Sequence, residues 1–511
     1  MRSLRAIVVA AILAVALWAT PLAARTLTVA VPSLPTTMEP MGDNSNRISR
    51  VMYSVFETLI RMNQDTGELR PGLAESWRRI DDRTVEFTLR QGVKFHDGQP
   101  FSSEDVVFSF GPERFMDEKA PGRVMAGQFL DIVEKVEADG PYKVRVVTKT
   151  PDPLIETRFA SRMTEIISKK AYLEAGDWDR WSQKPIGTGP YKIVSFALNN
   201  KLELGRFDDH WEAQAPVEAV NFIEVPELSS RIAGLRSAEF DIITEVSPDQ
   251  LPSLESVSGV DILGGPVENI YGLVFDTLSS PALSDKRLRR AIVMAIDRDA
   301  LVKSLFGGRT EAANSWQFKT FGNLYLPELD KPLYDLEAAK KLISEAGYKG
   351  DPIVWKILPG YYTLESTVSQ AIEQMLKAAG LNIKLEIKEN WDQVEGAAPD
   401  RVMGNASYTC YYQDPSGMLW RRMKPSSPWR TRKYFDRPAR FDELGTILES
   451  TVDASARKQA YREMLEISSD DPVGVPLYVL PMFYAKRSDV NWHVGVKEYM
   501  DLSASNLSFK N

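Results

Sequence analysis

From residue 84 to residue 110 the hydrophobic pattern changes period twice. Val85, Phe87 and Leu89 alternate with Thr84, Glu86 and Thr88, which predicts a strand with one face buried. Just before it, residues 73–77 (LAESW) read as a short helical signal, and Asp81-Asp82 as a polar turn. Gly92 interrupts the alternation, residues 93–95 resume it, and Asp97-Gly98 supplies a turn. Ser102, followed by Ser103, Glu104 and Asp105, predicts a helix N-cap with acids in the first turn, ahead of Val106, Val107 and Phe110.

The same reading extends along the chain. Strands are predicted at 25–31, 129–136, 144–147, 192–196, 201–205, 217–225 and 273–275. Helices are predicted at 51–60, 230–238, 285–297 behind Asp285, and 334–348 with Asp335 near its start and Gly347 near its end. Residues 353–358, 364–379 and 383–387 read as a strand, a helix closed by Gly380, and a second strand, a βαβ-like unit. The stretches 315–326 and 416–433 show neither period. Elements of both kinds, interleaved throughout, place the chain in the α/β class.

Length and composition narrow the picture. Arg2 and Arg5 precede an apolar run from Ala6 to Leu17, and Leu22-Ala23-Ala24 offers small residues for cleavage, so residues 1–24 read as a signal peptide. No later run approaches the roughly 18 apolar residues of a transmembrane helix. Removing 24 of the 511 residues leaves 487, too many for one core and enough for two or three domains. The formal charge of -8 argues against nucleic acid as a partner. One cysteine, Cys410, excludes an intrachain disulfide and reads as a small buried hydrophobe. The 11 Trp, 18 Tyr and 21 Phe are generous: a core can use many of them, and a ring-lined ligand pocket the rest.

Catalytic constellations are hard to find. There is no G-x-S-x-G elbow and no H-E-x-x-H, and His96, His210 and His493 lie too far apart in sequence for ligand spacing, so neither a catalytic residue nor a metal or other cofactor is expected. Ser455-x-x-Lys458 falls in a charged helical stretch and reads as chance. Gly187 and Gly189 lack the Lys-Ser/Thr ending of a phosphate loop and read as a tight turn.

The stretch PGLAESWRRIDDRTVEFTLRQGVKFHDGQPFSSEDVVFSF (71–110) resembles the signature of the family 5 extracellular solute-binding proteins, the peptide, nickel and opine receptors of ABC importers. Further resemblances lie at Pro185-Ile-Gly-Thr-Gly-Pro-Tyr191, at Asp285 to Arg298, at 334–348 and at Val475-Pro-Leu-Tyr478. The resemblance implies a periplasmic-binding-protein fold of two α/β lobes joined by a hinge, with an extra subdomain inserted in the first. Lobe I would comprise 25–68, 187–267 and 483–511, its inserted subdomain 69–186, and lobe II 268–482. The chain would cross the hinge near 267–271 and 480–484. The implied function is capture of a small organic solute (peptide-like, opine-like or glycoside) between the lobes by hinge closure, without bond making. Delivery to an ABC permease of the inner membrane would follow. A monomer is expected. The absence of a cysteine directly after the signal peptide points to a periplasmic protein without a lipid anchor. A secreted hydrolase on a two-lobed scaffold is the rival reading.

The resemblance also suggests ligand-binding residues. Trp391 and Tyr408 match aromatic positions that the family brings to its cleft, and Asp414-Pro415 matches an acidic turn. Peptide receptors of the family carry an aspartate four residues before that proline, to pair with the ammonium of the peptide. Tyr411 stands there here, which points either to Asp414 as a substitute or to a ligand other than a free-amino peptide. Trp391, Tyr408, Tyr411 and Asp414 are therefore the expected site residues. Strand alternation sets Tyr408 and Cys410 on the face opposite Thr409 and Tyr411, so not every tyrosine can line a cleft. Arg421 and Arg422 could neutralise a ligand carboxylate or phosphate. A solvated basic loop including Arg430, Arg432 and Lys433 is the blander alternative.

Overall fold

Two long strands, Val260–Phe275 and Gly474–Arg487, pair antiparallel through the centre of a ten-stranded mixed sheet. The computed structural model describes residues 25–42, 45–115, 117, 120–123, 127, 129–396 and 401–510, so the signal-peptide reading of 1–24 lies outside the described residues. On one side of the central pair the sheet continues through Ile242–Ile243, Thr26–Val31, Ala219–Glu224, Lys201–Arg206 and Tyr191–Ala197. On the other it continues through Met403–Thr409, Ile353–Ile357 and Ile383–Ile387. The predicted βαβ unit is present: the last two strands pair in parallel, with helix Glu365–Ala378 between them in sequence.

The ladder between the central strands is irregular near its middle. Pro266 and Pro481 stand opposite each other, and the register then shifts before Ile270 pairs with Val479. Proline has no backbone N–H to donate, so two facing prolines leave a gap in the hydrogen bonding there.

A second sheet of four antiparallel strands, Ala74–Asp81, Thr84–Leu89, Lys143–Thr148 and Val133–Ala138, pairs in the order first, second, third, fourth as named. Val85, Phe87 and Leu89 are buried as the alternation predicts. Glu86 is buried too, on the other face, where Arg78 and Arg145 bind its carboxylate and lower its pKa. Residues 73–77 are not helical. Trp77 pairs with Phe87 across the ladder, and tertiary strand pairing overrides a five-residue helical signal too short to nucleate alone. The helix predicted at 51–60 is instead Asn46–Met52, and Ile60 opens a strand; Val55, Phe56 and Leu59 are still buried along the intervening stretch. The strand predicted at 273–275 is the end of the 16-residue Val260–Phe275, whose glycines and proline hid its earlier part.

Helix starts follow the sequence closely, because short acceptor side chains satisfy otherwise orphaned N–H groups. Ser102 forms a capping box with Asp105, and Asp285, Asp297, Asp335 and Asp453 each accept from a first-turn N–H. The aperiodic stretches 315–326 and 416–433 hold short helices, among them Leu419–Met423 and Pro428–Thr431. Their Trp316, Trp420 and Trp429 fill one core cluster with Tyr408, Phe441 and Tyr461. Gly445 lets helix Ala439–Ser450 approach that cluster, since a Cβ there would lie 2.1 Å from the Trp420 ring. Gly445→Ala is therefore expected to destabilise by about 1–3 kcal/mol despite alanine's better helix propensity, read as a lower urea midpoint at unchanged slope.

Candidate functional site

Strand Met403–Thr409 ends in a short irregular segment, and Tyr411 on that segment is the meeting point of three adjoining cavities. One of about 80 Å³ lies between Tyr411 and residues of the 49–64, 160–165 and 497–503 segments, including Tyr53, Glu57, Arg162 and Tyr499. One of about 20 Å³ runs beneath it, past Glu268, Cys410 and Lys497. The third, about 270 Å³, is bounded by Tyr361, Tyr362, Trp391, Ser407, Thr409, Arg422 and Trp429.

The structure brings two of the four expected site residues to these cavities. Trp391 is half-buried at the start of helix Trp391–Glu395, which Asn390 caps; its ring stands edge-on to Tyr361 at 4.8 Å and to Tyr362 at 6.2 Å. Tyr411 packs edge-on against Phe129 at 4.5 Å, with the Arg421 guanidinium 4.7 Å and the Arg162 guanidinium 5.7 Å from its ring. Tyr408 and Asp414 lie elsewhere. Tyr408 is fully buried behind Trp429, 4.0 Å from the Trp316 ring, and its hydroxyl donates to the Leu273 carbonyl at 3.4 Å. The reason is strand parity: Tyr408 and Cys410 face the core, and Ser407 and Thr409 face the cavity. Asp414 accepts from Ser416 N–H as the cap of Pro415–Gly417 and pairs with Arg457 at 2.7 Å, with both side chains at least nine-tenths buried. Its carboxylate is fully engaged within the fold.

Residues that the sequence reading passed over complete the wall. Tyr361 and Tyr362 follow strand Ile353–Ile357 directly, in Pro359-Gly360-Tyr361-Tyr362. Aromatics just beyond the carboxyl end of a parallel strand in an open α/β sheet mark the usual place for a ligand, and that signal was available. Arg162, Lys497 and Tyr499 come from segments remote in sequence, which no local pattern joins to Tyr411.

The buried polar groups around the cavities are mostly matched. Lys497 pairs with Glu268 and donates to the Cys410 carbonyl at 2.6 Å. Arg158 ties Asp152 at 2.9 Å to Glu449 at 2.9 Å and the Tyr412 hydroxyl at 3.0 Å, and Lys424 reaches Asp131 at 2.7 Å. These contacts join the 129–158 region to the 412–449 region across Tyr411. Glu57, His210 and Glu212 bring ligand atoms within 4.8 Å of one another, but Arg61 already pairs with both carboxylates, so a cation there would have to displace a guanidinium. His96 is a framework residue, with Nε2 3.0 Å from the Gly189 carbonyl and the ring against Phe207. Burial pushes the Cys410 thiol up to about 12, and its Sγ donates to the Tyr412 carbonyl at 2.8 Å.

Glu365 lies behind the cavity wall. Its carboxylate accepts from the Asn405 amide, and Asn405 in turn accepts from the Trp355 indole at 2.6 Å. Burial raises Glu365 from 4.5 to about 7. The folded state therefore holds this proton more tightly than the unfolded chain. The resulting stability is fully present below about pH 4.5 and lost as pH rises through about 7. Glu365→Gln should flatten the decline in Tm over that window, measured by calorimetry across a pH series. Burial raises Glu498 to about 7 as well, so the decline should shrink rather than vanish.

Comparison with known proteins agrees with this architecture. The family model of bacterial extracellular solute-binding proteins, family 5 Middle, matches residues 68–427. The dipeptide-binding protein of Escherichia coli K12 is 26% identical over 312 residues, 57% of this chain and 58% of that protein. The chain thus spans little more than half the length of that relative. Di/tripeptide-binding protein 2 of Pseudomonas aeruginosa is 26% identical over 495 residues, covering 91% and 92% of the two chains. Among solved structures, the periplasmic binding protein DppA of Helicobacter pylori, in complex with the peptide STSA, superposes with a TM-score of 0.84 at 22% identity, over 95% of this chain and 98% of that one. A binding protein from A. tumefaciens R10, in complex with agropinic acid, gives 0.81 at 21% identity, over 95% and 99%. At these identities the structures speak for the fold alone.

Proposed function

Because the chain belongs to the bacterial extracellular solute-binding proteins of family 5, we propose that it is the receptor of an ABC importer, capturing a small organic solute and releasing it to a membrane permease. The observation that carries this reading is the ring-lined cavity system meeting at Tyr411, built from segments far apart in the sequence. Stacked rings with a few polar tips suit the binding and orientation of a solute. Trp391 and Tyr411 are the contact residues of the sequence reading that remain in this proposal, joined by Tyr361 and Tyr362.

The proposed division keeps lobe I at 25–68, 187–267 and 483–511, its inserted subdomain at 69–186 and lobe II at 268–482. The facing prolines Pro266 and Pro481 support a hinge beside those boundaries, where the ladder is weakest. Arg158–Glu449 and Lys424–Asp131 would then be ties between the subdomain and lobe II, characteristic of a closed form. Closure around a ligand by rotation about few residues is the behaviour described for periplasmic binding proteins generally. A bound solute favours the closed state by touching both lobes. A periplasmic location and action as a monomer belong to the same proposal. Relatives named for dipeptides and di/tripeptides support a peptide-like cargo; an opine-like cargo stays in the proposal on the family resemblance.

Thermal-shift screening against dipeptides, opines and oligosaccharides tests the proposal. A true ligand at a hundred times its Kd should stabilise by about 2.7 kcal/mol. Small-angle scattering should show compaction with the same compound. A solute converted to product over time, or an unchanged shape with every stabilising compound, would overturn it.

A further inference from the structure

Arg422 is a charge in the largest of the three Tyr411 cavities that no carboxylate among the described residues neutralises. Three charged side chains line that cavity: Glu395, Arg401 and Arg422. Glu395 is paired with Arg432, and Arg401 with Asp276 at 2.7 Å. Arg422, in helix Leu419–Met423, donates through Nη2 to the Ser407 carbonyl at 2.7 Å and lies 4.8 Å over the Trp429 ring. No carboxylate among the described residues comes within 4.0 Å of it, and its Nε is buried without a hydrogen-bond partner. Its neighbour Arg421 adds to the positive field; burial, and then the charge of Arg422, lower the Arg421 pKa to about 9. A half-buried guanidinium whose Nε has no partner and whose Nη2 has one carbonyl is under-satisfied, and a planar oxyanion offers it the two parallel acceptors that its fork is shaped for.

The rest of the lining is of another kind. Tyr361, Tyr362 and Trp391 stand edge-on to one another along it, with Ser407 and Thr409 in the same lining. We propose that this cavity takes a solute carrying a carboxylate or phosphate, held by Arg422, with its organic body against the Tyr361–Tyr362–Trp391 wall. The proposal rests on the receptor reading and adds to it the charge of the cargo: anionic at this end.

Titration calorimetry on the full chain, with three probes of similar size, tests it. N-acetyl-phenylalanine carries a carboxylate, phenyl phosphate a phosphate, and N-acetyl-phenylalaninamide is the neutral match of the first. At least one anion should bind roughly tenfold or more tightly than the amide, and the better anion tells carboxylate from phosphate. Arg422→Gln should bring the anions and the amide to within about threefold of each other, and Arg422→Lys, which keeps the charge without the fork, should fall between. Equal binding of acid and amide, no binding of either anion, or a preference that survives Arg422→Gln would each overturn the proposal. The wild-type comparison decides even if a variant fails to fold. Scattering separates the two readings. A neutral solute that compacts wild type and Arg422→Gln alike sinks the anion and leaves the receptor. An anion that binds with the expected preference but leaves the shape unchanged supports the anion site and sinks hinge closure.

Discussion

Asp414→Ala is expected to destabilise the protein by about 3–5 kcal/mol, because it leaves Arg457 buried without its countercharge. The Arg457 Nε donates to the Leu448 carbonyl at 2.9 Å, which fixes the side chain in place and prevents escape to water. The same substitution removes the cap of Pro415–Gly417, worth about a further 1 kcal/mol. Equilibrium urea unfolding should show the loss in the absence of any ligand. Sequence reasoning expects the opposite phenotype for this residue, a lost ligand with an intact fold. Asp414→Asn, which keeps the acceptor for Ser416 N–H but not the charge, should recover only the capping part. If Asp414→Ala unfolds at the wild-type midpoint, Arg457 is stabilised by something other than this pair.

Trp391→Ala is expected to behave in the reverse way. The ring touches Tyr361 and Tyr362 and is only half-buried, so truncation removes little of the core. A solute that covers the ring gains about 1.5–3 kcal/mol from burying it, so affinity should fall about tenfold to a hundredfold. The unliganded Tm should move by no more than a surface substitution allows, about 0.5 kcal/mol in stability. Calorimetry with the best ligand of the screen, beside a melting curve without it, reads both quantities. A large drop in unliganded Tm would assign Trp391 to the fold.

The contrast between these residues shows what can be read from the chain alone. Caps such as Ser102, Asp285 and Asp335 are local physics, decided within four residues, and the structure has them where the sequence puts them. The same holds for the strand at Thr84–Leu89, whose alternation leaves one solution. Residues 73–77 fail because their partner is a strand that only the fold brings alongside. The site is harder still. Trp391 and Tyr411 reach the cavity, as family position suggests, but Tyr408 and Asp414 are placed by strand parity and by an arginine 43 residues away. No local pattern distinguishes an acid that meets a ligand from one that meets Arg457. Nor does any window of sequence join Arg162 or Tyr499 to Tyr411.

The sheltered thiol of Cys410 has a practical consequence. Because it is the one cysteine of the chain, fully buried, with burial holding its pKa near 12, maleimide dyes should pass it by in the native state. A single new cysteine on the rim of either half can then carry an environment-sensitive fluorophore without any background substitution. The unaltered framework would report its own cargo as a change in colour or brightness, including cargo from an untested extract.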